Sequence, residues 1–216
     1  LVETQDSKAY LGPEGDMEFV AALMPYVFGK DAPDMGGRIE GMQTPGGTGS
    51  LRVALAMAKR AGAKRIVVGN PSWPNHAQIC RDLGLDVAEF NHASPDGTAD
   101  MDGIRKAIAQ GGEHDVLMLH GCCHNPTGID YSQGEWDEIA GLLANSPMLP
   151  LIDMAYQGLG HGMEADAYGL RRVLVSVPEA LVSYSCDKNF GLYRDRVGAL
   201  YVMARDAADL PAIMSN

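Results

Sequence analysis

Short apolar runs alternate with helical patterns through most of this 216-residue sequence, and this alternation constrains the fold more than any other feature. The runs are predicted to be strands, and they lie at Arg65 to Gly69, Asp86 to Phe90, Val116 to His120 and Leu149 to Asp153. Helices are predicted between and after them, at Asn75 to Leu83, Asp100 to Ala109, Ser132 to Ala144 and Asp166 to Val175. Continuous apolar strands separated by helices are typical of a parallel sheet that is buried on both faces.

The two ends of the chain extend this pattern. Asp16 is predicted to cap a helix that ends near Gly29, and Leu51 to Ala61 indicates a second helix. The segment Lys30 to Glu40 is rich in Gly, Pro and Asp, which is typical of a loop. Two further strands are predicted at Ala180 to Ser185 and Val197 to Met203. No repeat or linker divides the sequence, which therefore predicts one α/β domain with a mostly parallel sheet flanked by helices on both faces.

Composition excludes several classes of partner. The formal net charge of -11 argues against nucleic acid, because a protein that binds a phosphate backbone needs a basic face. No apolar run approaches the roughly 20 residues of a membrane helix, so no membrane partner is expected. The cysteines form no C-x-x-C pair, which predicts reduced thiols and a cytoplasmic protein. They are Cys80, Cys122, Cys123 and Cys186.

Polar residues cluster directly after three of the predicted strands. They lie at His120 to Thr127, at Asp153 to Tyr156, and in the loop around Lys188. Ligands of open α/β sheets bind at the carboxyl ends of the strands. We therefore expect these separated segments to meet in one cleft.

The loop around Lys188 has the composition of a site for a covalently held anionic cofactor. A lysine amine forms a Schiff base with a carbonyl when burial and neighbouring groups favour its neutral form, and Ser185 and Arg196 are suited to a nearby phosphate. A loop lysine on its own is more often a solvated charge. The remaining residues must decide between the two interpretations.

The glycine-rich segment Thr44 to Ser50 enters a predicted helix, and such a turn is a natural anion-binding site. It fits neither of the familiar nucleotide motifs. A dinucleotide fingerprint needs glycine where Arg52 stands, and a P-loop needs lysine where Gly47 stands. The segment is therefore either a phosphate site or simply the entry to a helix.

Three other positions have both a structural and a functional interpretation. The segment His120 to His124 offers metal ligands, but it lacks the helix and glutamate of a zinc protease, so packing is favoured and no metal is expected. Asp153 ends an apolar strand, where an ionised carboxylate needs a cation or a strong donor. It is either a cap or part of a local salt bridge, or it pairs with the protonated nitrogen of a pyridine ring. Tyr156 is placed to offer a phenol to the same ring. Trp73 is either a stacking platform for that ring or a buried structural side chain.

Taken together, these segments resemble the aspartate and aromatic amino acid aminotransferases, which are pyridoxal 5'-phosphate enzymes of fold type I. Five blocks carry the resemblance, in the same order as in the family and across nearly the whole chain. They are Thr44 to Gly49, Asn70 to His76, His120 to Gly128, Asp153 to Gly158, and Lys188 to Tyr193 with Arg196 to Gly198.

The resemblance implies a role for each matching residue. Lys188 binds the cofactor covalently and moves a proton between the substrate and the cofactor. Asp153 pairs with the pyridine nitrogen, and Trp73 stacks on the ring. Tyr156 and Asn125 bond the phenolic oxygen. The remaining implied positions are Gly47, Thr48, Ser185 and Arg196 on the phosphate, His120 and His76 behind the ring, and Tyr10 on the phosphate of the neighbouring subunit.

The same resemblance implies a homodimer with shared active sites that transfers an amino group between an aspartate-like or aromatic L-amino acid and 2-oxoglutarate. Two alternatives stay open: another reaction with this cofactor, such as β-elimination, or an inactive module that binds it. Residues 1–216 are expected to be the large cofactor-binding domain, without the N-terminal segment and the C-terminal small domain that holds a substrate-carboxylate arginine. Asp187 departs from the family pattern and adds a negative charge beside Lys188.

Overall fold

A computed structural model of the protein describes residues 9–30 and 35–215. The helices are α1 (Met17–Phe28), α2 (Gly46–Arg60), α3 (Pro74–Asp82), α4 (Met101–Ala109), α5 (Gln133–Leu143), α6 (Met163–Asp166), α7 (Tyr168–Leu174) and α8 (Leu210–Met214). The strands are β1 (Ile39–Pro45), β2 (Arg65–Asn70), β3 (Asp86–Asn91), β4 (Asp115–His120), β5 (Leu149–Met154), β6 (Ala180–Ser185) and β7 (Val197–Met203). Among these described helices, none combines the length and the apolar character needed to cross a lipid bilayer.

The strands form one seven-stranded sheet in the order β1-β7-β6-β5-β4-β2-β3. Strands β2 to β6 pair in parallel, whereas β7 runs antiparallel to both of its neighbours, β6 and β1. The predicted mostly parallel sheet is confirmed. The direction of β7 brings its first residue, Val197, opposite Pro45 at the end of β1, and Gly198 opposite Ser185 at the end of β6. Residues from β1, β6 and β7 therefore meet at one edge of the sheet.

Helices cover both faces of the sheet, as the sequence predicts. Side chains of α1, α4, α5 and α7 pack in one core cluster, and those of α2 and α3 pack in a second. The buried strands supply the two clusters with alternate residues, because successive side chains of a strand point to opposite faces. In β4, for example, Leu117 and Leu119 join the first cluster, while Val116 and Met118 join the second.

The helix ends follow the local sequence. The carboxylate of Asp16 accepts hydrogen bonds from the amides of Glu18 and Phe19, so Asp16 caps α1 as predicted, and Gly29 ends the helix. At the start of α5, Ser132 and Glu135 form a reciprocal capping box. Each cap satisfies amide groups that have no partner within the helix, which sets where the helix begins.

The segment before α2 differs from the sequence-based prediction. Residues 39 and 40 were expected in a loop and residues 46–50 in a turn, but β1 begins at Ile39 and α2 begins at Gly46. The reason is the crowding at this edge of the sheet. A Cβ atom on Gly41 would lie 2.5 Å from the ring of Tyr201, so only glycine fits at this position in β1. The glycine here permits a strand, although glycine is usually a sign of a turn.

Candidate active site

A cleft of about 290 Å³ opens at the carboxyl ends of β4, β5 and β6. Nine of the ten predicted cofactor-binding residues line this cleft, while Tyr10 is fully exposed and does not. The nine are Gly47, Thr48, Trp73, Asn125, Asp153, Tyr156, Ser185, Lys188 and Arg196. His120 and Asp187 also line it. The structure therefore brings together residues that are up to 149 positions apart, between Gly47 and Arg196.

The first turn of α2 provides backbone donors at one end of the cleft. The residue before this helix is Pro45, which makes no side-chain cap, so the first turn keeps backbone amides without a cap. A Cβ atom on Gly47 would lie 2.9 Å from the Cβ atom of Ser185, so only glycine allows the helix to approach β6 this closely. A helix N-terminus with free amides stabilises an anion, and here Ser185 and Arg196 lie beside it. We refer to Gly47, Thr48, Ser185 and Arg196 as the anion cradle.

Asp187 is the acidic residue directly before Lys188, and its carboxylate is paired. The guanidinium of Arg196 donates a short hydrogen bond to Oδ2 of Asp187 and another, of 3.2 Å, to the carbonyl of Tyr193. The backbone amide of Asp187 donates to Oγ of Ser185 at 3.2 Å. The sequence shows Asp187 only as a neighbour of Lys188, and its pairing with Arg196 was not predicted.

Asp153 lies in β5 at the bottom of the cleft, beside His76 from α3. Nε2 of His76 is 3.1 Å from Oδ2 of Asp153, and Nδ1 of the same ring is 2.9 Å from the hydroxyl of Ser72. Both side chains are nearly inaccessible to solvent, since 1% of the His76 side chain and 5% of the Asp153 side chain are exposed. A buried carboxylate is costly unless it meets a donor, and His76 is that donor. Trp73, the residue before α3, contacts the His76 ring edge-on at 5.3 Å.

Four imidazoles form a continuous row behind Asp153, which we call the histidine row: His76, His120, His124 and His92. Successive ring centroids are 5.0, 4.4 and 3.5 Å apart, and the last pair is stacked, with only 8° between the ring planes. Burial lowers the pKa of His120 to about 4 and that of His124 to about 2, and it also lowers the pKa of His92. These three rings are therefore neutral near pH 7.

The far end of the histidine row is held by hydrogen bonds that select one tautomer. Nε2 of His92 lies 2.7 Å from the carbonyl oxygen of Ile129, so this nitrogen carries the hydrogen. Nδ1 of His92 then accepts from the hydroxyl of Tyr131 at 3.3 Å. His92 and Tyr131 were not predicted as part of any site. The only signal in the sequence was the pair His120 and His124, since His92 is joined to them by tertiary contacts.

Lys188, Tyr156 and Asn125 lie close together in the lining of the cleft. Nζ of Lys188 lies 5.0 Å from the centre of the Tyr156 ring, and Nδ2 of Asn125 donates to the Tyr156 hydroxyl at 3.4 Å. Burial raises the pKa of Tyr156, so the phenol stays protonated and retains a hydrogen to donate. An amine, a phenol and an amide thus meet within the cleft.

Two groups of side chains have the spacing of metal ligands. The first group is His76, His120 and Asp153, which belongs to the cleft and the histidine row. The second is Cys122, Cys123 and Asp166. Both oxygens of Asp166 accept hydrogen bonds from the loop after β5, namely from the backbone amides of Gly158, Gly160 and His161. Burial raises the pKa of Cys122, so this thiol is neutral and packs in the core.

Comparison with known proteins identifies the family. The model of the family "Aminotransferase class I and II" matches residues 1–216. The tyrosine aminotransferase of Rhizobium meliloti (strain 1021) is 46% identical over 217 residues, which cover 100% of this chain and 55% of that protein. The aspartate aminotransferase of Escherichia coli (strain K12) is 42% identical over 219 residues, with the same coverage of 100% and 55%. The chain spans about half the length of the curated relatives it matches.

Solved structures of the same family share the fold. One is an aromatic amino acid aminotransferase with 3-indolebutyric acid, with a TM-score of 0.94 and 39% identity, over 99% of this chain and 54% of that one. Another is the aromatic-amino-acid aminotransferase from Burkholderia pseudomallei covalently bound to pyridoxal phosphate, with a TM-score of 0.93 and 29% identity, over 99% and 54%. The sheet and helices described above are therefore those of an aminotransferase.

Proposed function

Since the chain belongs to the class I and II aminotransferases, we propose that the protein transfers an amino group between an aspartate-like or aromatic L-amino acid and 2-oxoglutarate, with pyridoxal 5'-phosphate as its cofactor. One observation carries this proposal. A lysine amine, a buried carboxylate and an anion cradle line a single cleft. The names of the relatives, tyrosine, aspartate and aromatic-amino-acid aminotransferases, support the substrate class.

The residues of the cleft fit the cofactor group by group. The anion cradle suits a phosphate, because it joins free helix amides and a hydroxyl to a guanidinium. Asp153 suits the ring nitrogen, since a buried carboxylate favours a proton on a nitrogen beside it. Trp73 offers an aromatic surface at the wall of the cleft. When bound, the cofactor supplies an aldehyde that takes up the amino group and a protonated ring that withdraws electrons from the substrate.

The side chains of the chain itself then have distinct tasks. His76 donates a hydrogen bond to Asp153 and so gives a buried carboxylate oxygen a partner. Tyr156 and Asn125 donate hydrogen bonds towards the phenolic oxygen of the ring, and the raised pKa of Tyr156 keeps its hydrogen in place. Nζ of Lys188 would hold the cofactor covalently and would act as the base for the proton at Cα of the substrate.

We further propose the setting of this site in the whole protein. Residues 1–216 form the large cofactor-binding domain, and Tyr10 reaches the phosphate of the neighbouring subunit in a homodimer. The complete exposure of the Tyr10 side chain in the single chain supports this contact. The four cysteines are free thiols, which supports a reducing compartment, the cytoplasm.

The test uses the full-length protein and the absorbance of its cofactor. Addition of aspartate or tyrosine is expected to convert the cofactor to its amine form, and 2-oxoglutarate is expected to restore the aldehyde form. Release of pyruvate or ammonia without this return would instead indicate β-elimination. The variant Lys188→Ala is expected to lose the absorbance of the lysine-bound cofactor, and an unchanged spectrum would refute the role of Lys188. Steady-state kinetics with both donors then decide between aspartate and aromatic preference.

A further inference from the structure

The anion cradle already contains an anion that belongs to the chain. Oδ2 of Asp187 accepts a hydrogen bond from Arg196, the arginine of the cradle. The same oxygen lies against the first residue of α2, since a Cβ atom on Gly46 would be 3.0 Å from it. The carboxylate of Asp187 thus lies beside both the N-terminus of α2 and the guanidinium of Arg196. These are the two positively charged groups that suit a phosphate.

The second oxygen of the same carboxylate has no partner. Oδ1 of Asp187 is buried and makes no hydrogen bond among the described residues, and only 4% of the side chain is exposed. Asp187 also lines the cleft, beside Ser185 and Thr48. A buried carboxylate oxygen without a hydrogen-bond donor costs free energy. Oδ1 of Asp187 is therefore an acceptor that lacks a donor.

A phosphate in the anion cradle conflicts with an ionised Asp187. The phosphate group carries between about -1.5 and -2 charges near pH 7, and like charges at contact distance in a buried site are strongly unfavourable. Arg196 is then shared by two anions. A proton on Asp187 removes the conflict, because a carboxylic acid is neutral and donates a hydrogen bond where the carboxylate only accepts.

From this geometry we propose that Asp187 occupies the anion cradle as an internal anion and takes up a proton from solvent when the cofactor phosphate binds, so that cofactor loading is coupled to pH. The inference rests on the proposed function, since it concerns the phosphate of the same cofactor. The proton enters the buried pair and Arg196 is released from the carboxylate to the phosphate, so the proton offsets one of the negative charges that the phosphate brings.

Ionisable groups lie near Asp187 on several of the elements around it. Its own loop contributes Lys188 and the thiol of Cys186, whose pKa is raised to about 11 by burial and by the charge of Asp187. The segment before β7 contributes Arg196 and Tyr193, and β5 contributes Asp153 across the cleft. The start of α2 contributes only amides and the hydroxyl of Thr48. Because Arg196 is permanently charged, Asp187 is the acid in contact with the cradle that is free to change its charge.

The experiment measures proton uptake by calorimetry when pyridoxal 5'-phosphate binds to the cofactor-free full-length protein, in buffers of different ionisation enthalpy. The wild type is expected to take up about one proton more than Asp187→Asn or Asp187→Ser at about pH 8, and its affinity to fall about tenfold more per pH unit than theirs. Asp195→Asn, an exposed acid of the same loop, is the matched control and is expected to behave as the wild type.

Further results separate the possible outcomes. Pyridoxal, which lacks the phosphate, is expected to show no difference between the wild type and Asp187→Asn. Phosphorus NMR is expected to show a dianionic phosphate in the wild type, and a monoanion would place the proton on the cofactor and overturn the assignment to Asp187. Equal proton uptake in all variants would overturn the inference while leaving the proposed function intact. Failure of every variant to bind pyridoxal 5'-phosphate would refute the proposed function itself.

Discussion

Nε2 of His76 lies 3.1 Å from Oδ2 of Asp153, and both side chains are shielded from solvent. The pair joins a helix to a strand, since His76 is in α3 and Asp153 in β5. Ser72 fixes the opposite side of the imidazole. The carboxylate proposed to meet the pyridine nitrogen thus depends on a donor that lies 77 residues away in the sequence.

Replacement of His76 tests this dependence. His76→Phe is expected to lower the affinity for pyridoxal 5'-phosphate by about 10- to 100-fold, because a hydrogen bond to a charged group contributes about 1.5–3 kcal/mol. Equilibrium dialysis of the cofactor-free full-length protein measures the effect. His76→Gln retains an amide donor and is the conservative control, with a smaller expected loss. Equal affinity in the wild type and His76→Phe would show that Asp153 needs no donor from α3.

The close approach of α2 to β6 makes Gly47 sensitive to a single methyl group. Gly47→Ala places a Cβ atom 2.9 Å from that of Ser185, so the anion cradle must widen. We expect the affinity for pyridoxal 5'-phosphate to fall by at least about tenfold, while the affinity for pyridoxal changes little. Gly134→Ala in α5 is the control, since a Cβ atom there meets nothing within 4 Å. An equal loss for both ligands would place the effect outside the phosphate site.

Two glycines in helices are expected to respond to alanine with opposite signs. Gly169 in α7 lies against the ring of Trp136, and a Cβ atom there would be 2.2 Å from it, so Gly169→Ala is expected to lose about 1–3 kcal/mol of stability. Gly141 is exposed in α5 with free space around it, so Gly141→Ala is expected to gain about 0.5–1 kcal/mol. Urea unfolding of the full-length protein measures both. A stabilising Gly169→Ala would contradict the packing of α5 on α7.

The histidine row is expected to make the protein sensitive to acid. The pKa of His120 is lowered from 6.5 to about 4, so the folded state binds fewer protons than the unfolded state below about pH 6.5. The stabilisation is complete above that pH and is lost as the pH falls towards 4. At about pH 5, the lowered pKa of His120 alone is expected to reduce the free energy of unfolding by about 2 kcal/mol relative to neutral pH.

Unfolding by urea at several pH values checks this prediction. His92→Phe removes one buried imidazole and is expected to weaken the pH dependence between about pH 7 and 5, whatever its effect on stability at neutral pH. His114→Gln, at an exposed position, is the control and is expected to leave the pH dependence unchanged. An identical slope in His92→Phe and the wild type would show that the row does not control acid sensitivity.

Periodicity in the sequence was enough to predict six of the strands and most of the helices. The runs that became β2, β4, β5 and β6 are largely buried, so most of their residues are apolar and the signal is strong. β1 was missed because it contains Gly41 and ends in Pro45, and both residues usually indicate a loop. Its place in the sheet depends on pairing with β7, about 158 residues later, which no local pattern records.

The residues of the site divide in the same way, into those that a local pattern predicts and those that only tertiary contacts bring to the site. Lys188, Asp153 and Asn125 were predicted because each follows or ends a strand, and parallel strands bring their carboxyl ends to one edge. The partner of Asp187 was not predicted, since Arg196 reaches it only after the chain turns back into β7. His92 was not predicted either, because its ring meets His124 through packing between separate loops.

The sequence by itself therefore determined the α/β class, the order of its elements and the chemical types of group at the sheet edge, because these depend on local periodicity and on motifs of contiguous residues. Only the tertiary structure decided the direction of β7, the pairing of Asp187 with Arg196 and the alignment of the four imidazoles. Those features depend on distances between residues far apart in the chain. Such distances are set by the packing of the whole sheet and its helices, and no single segment contains them.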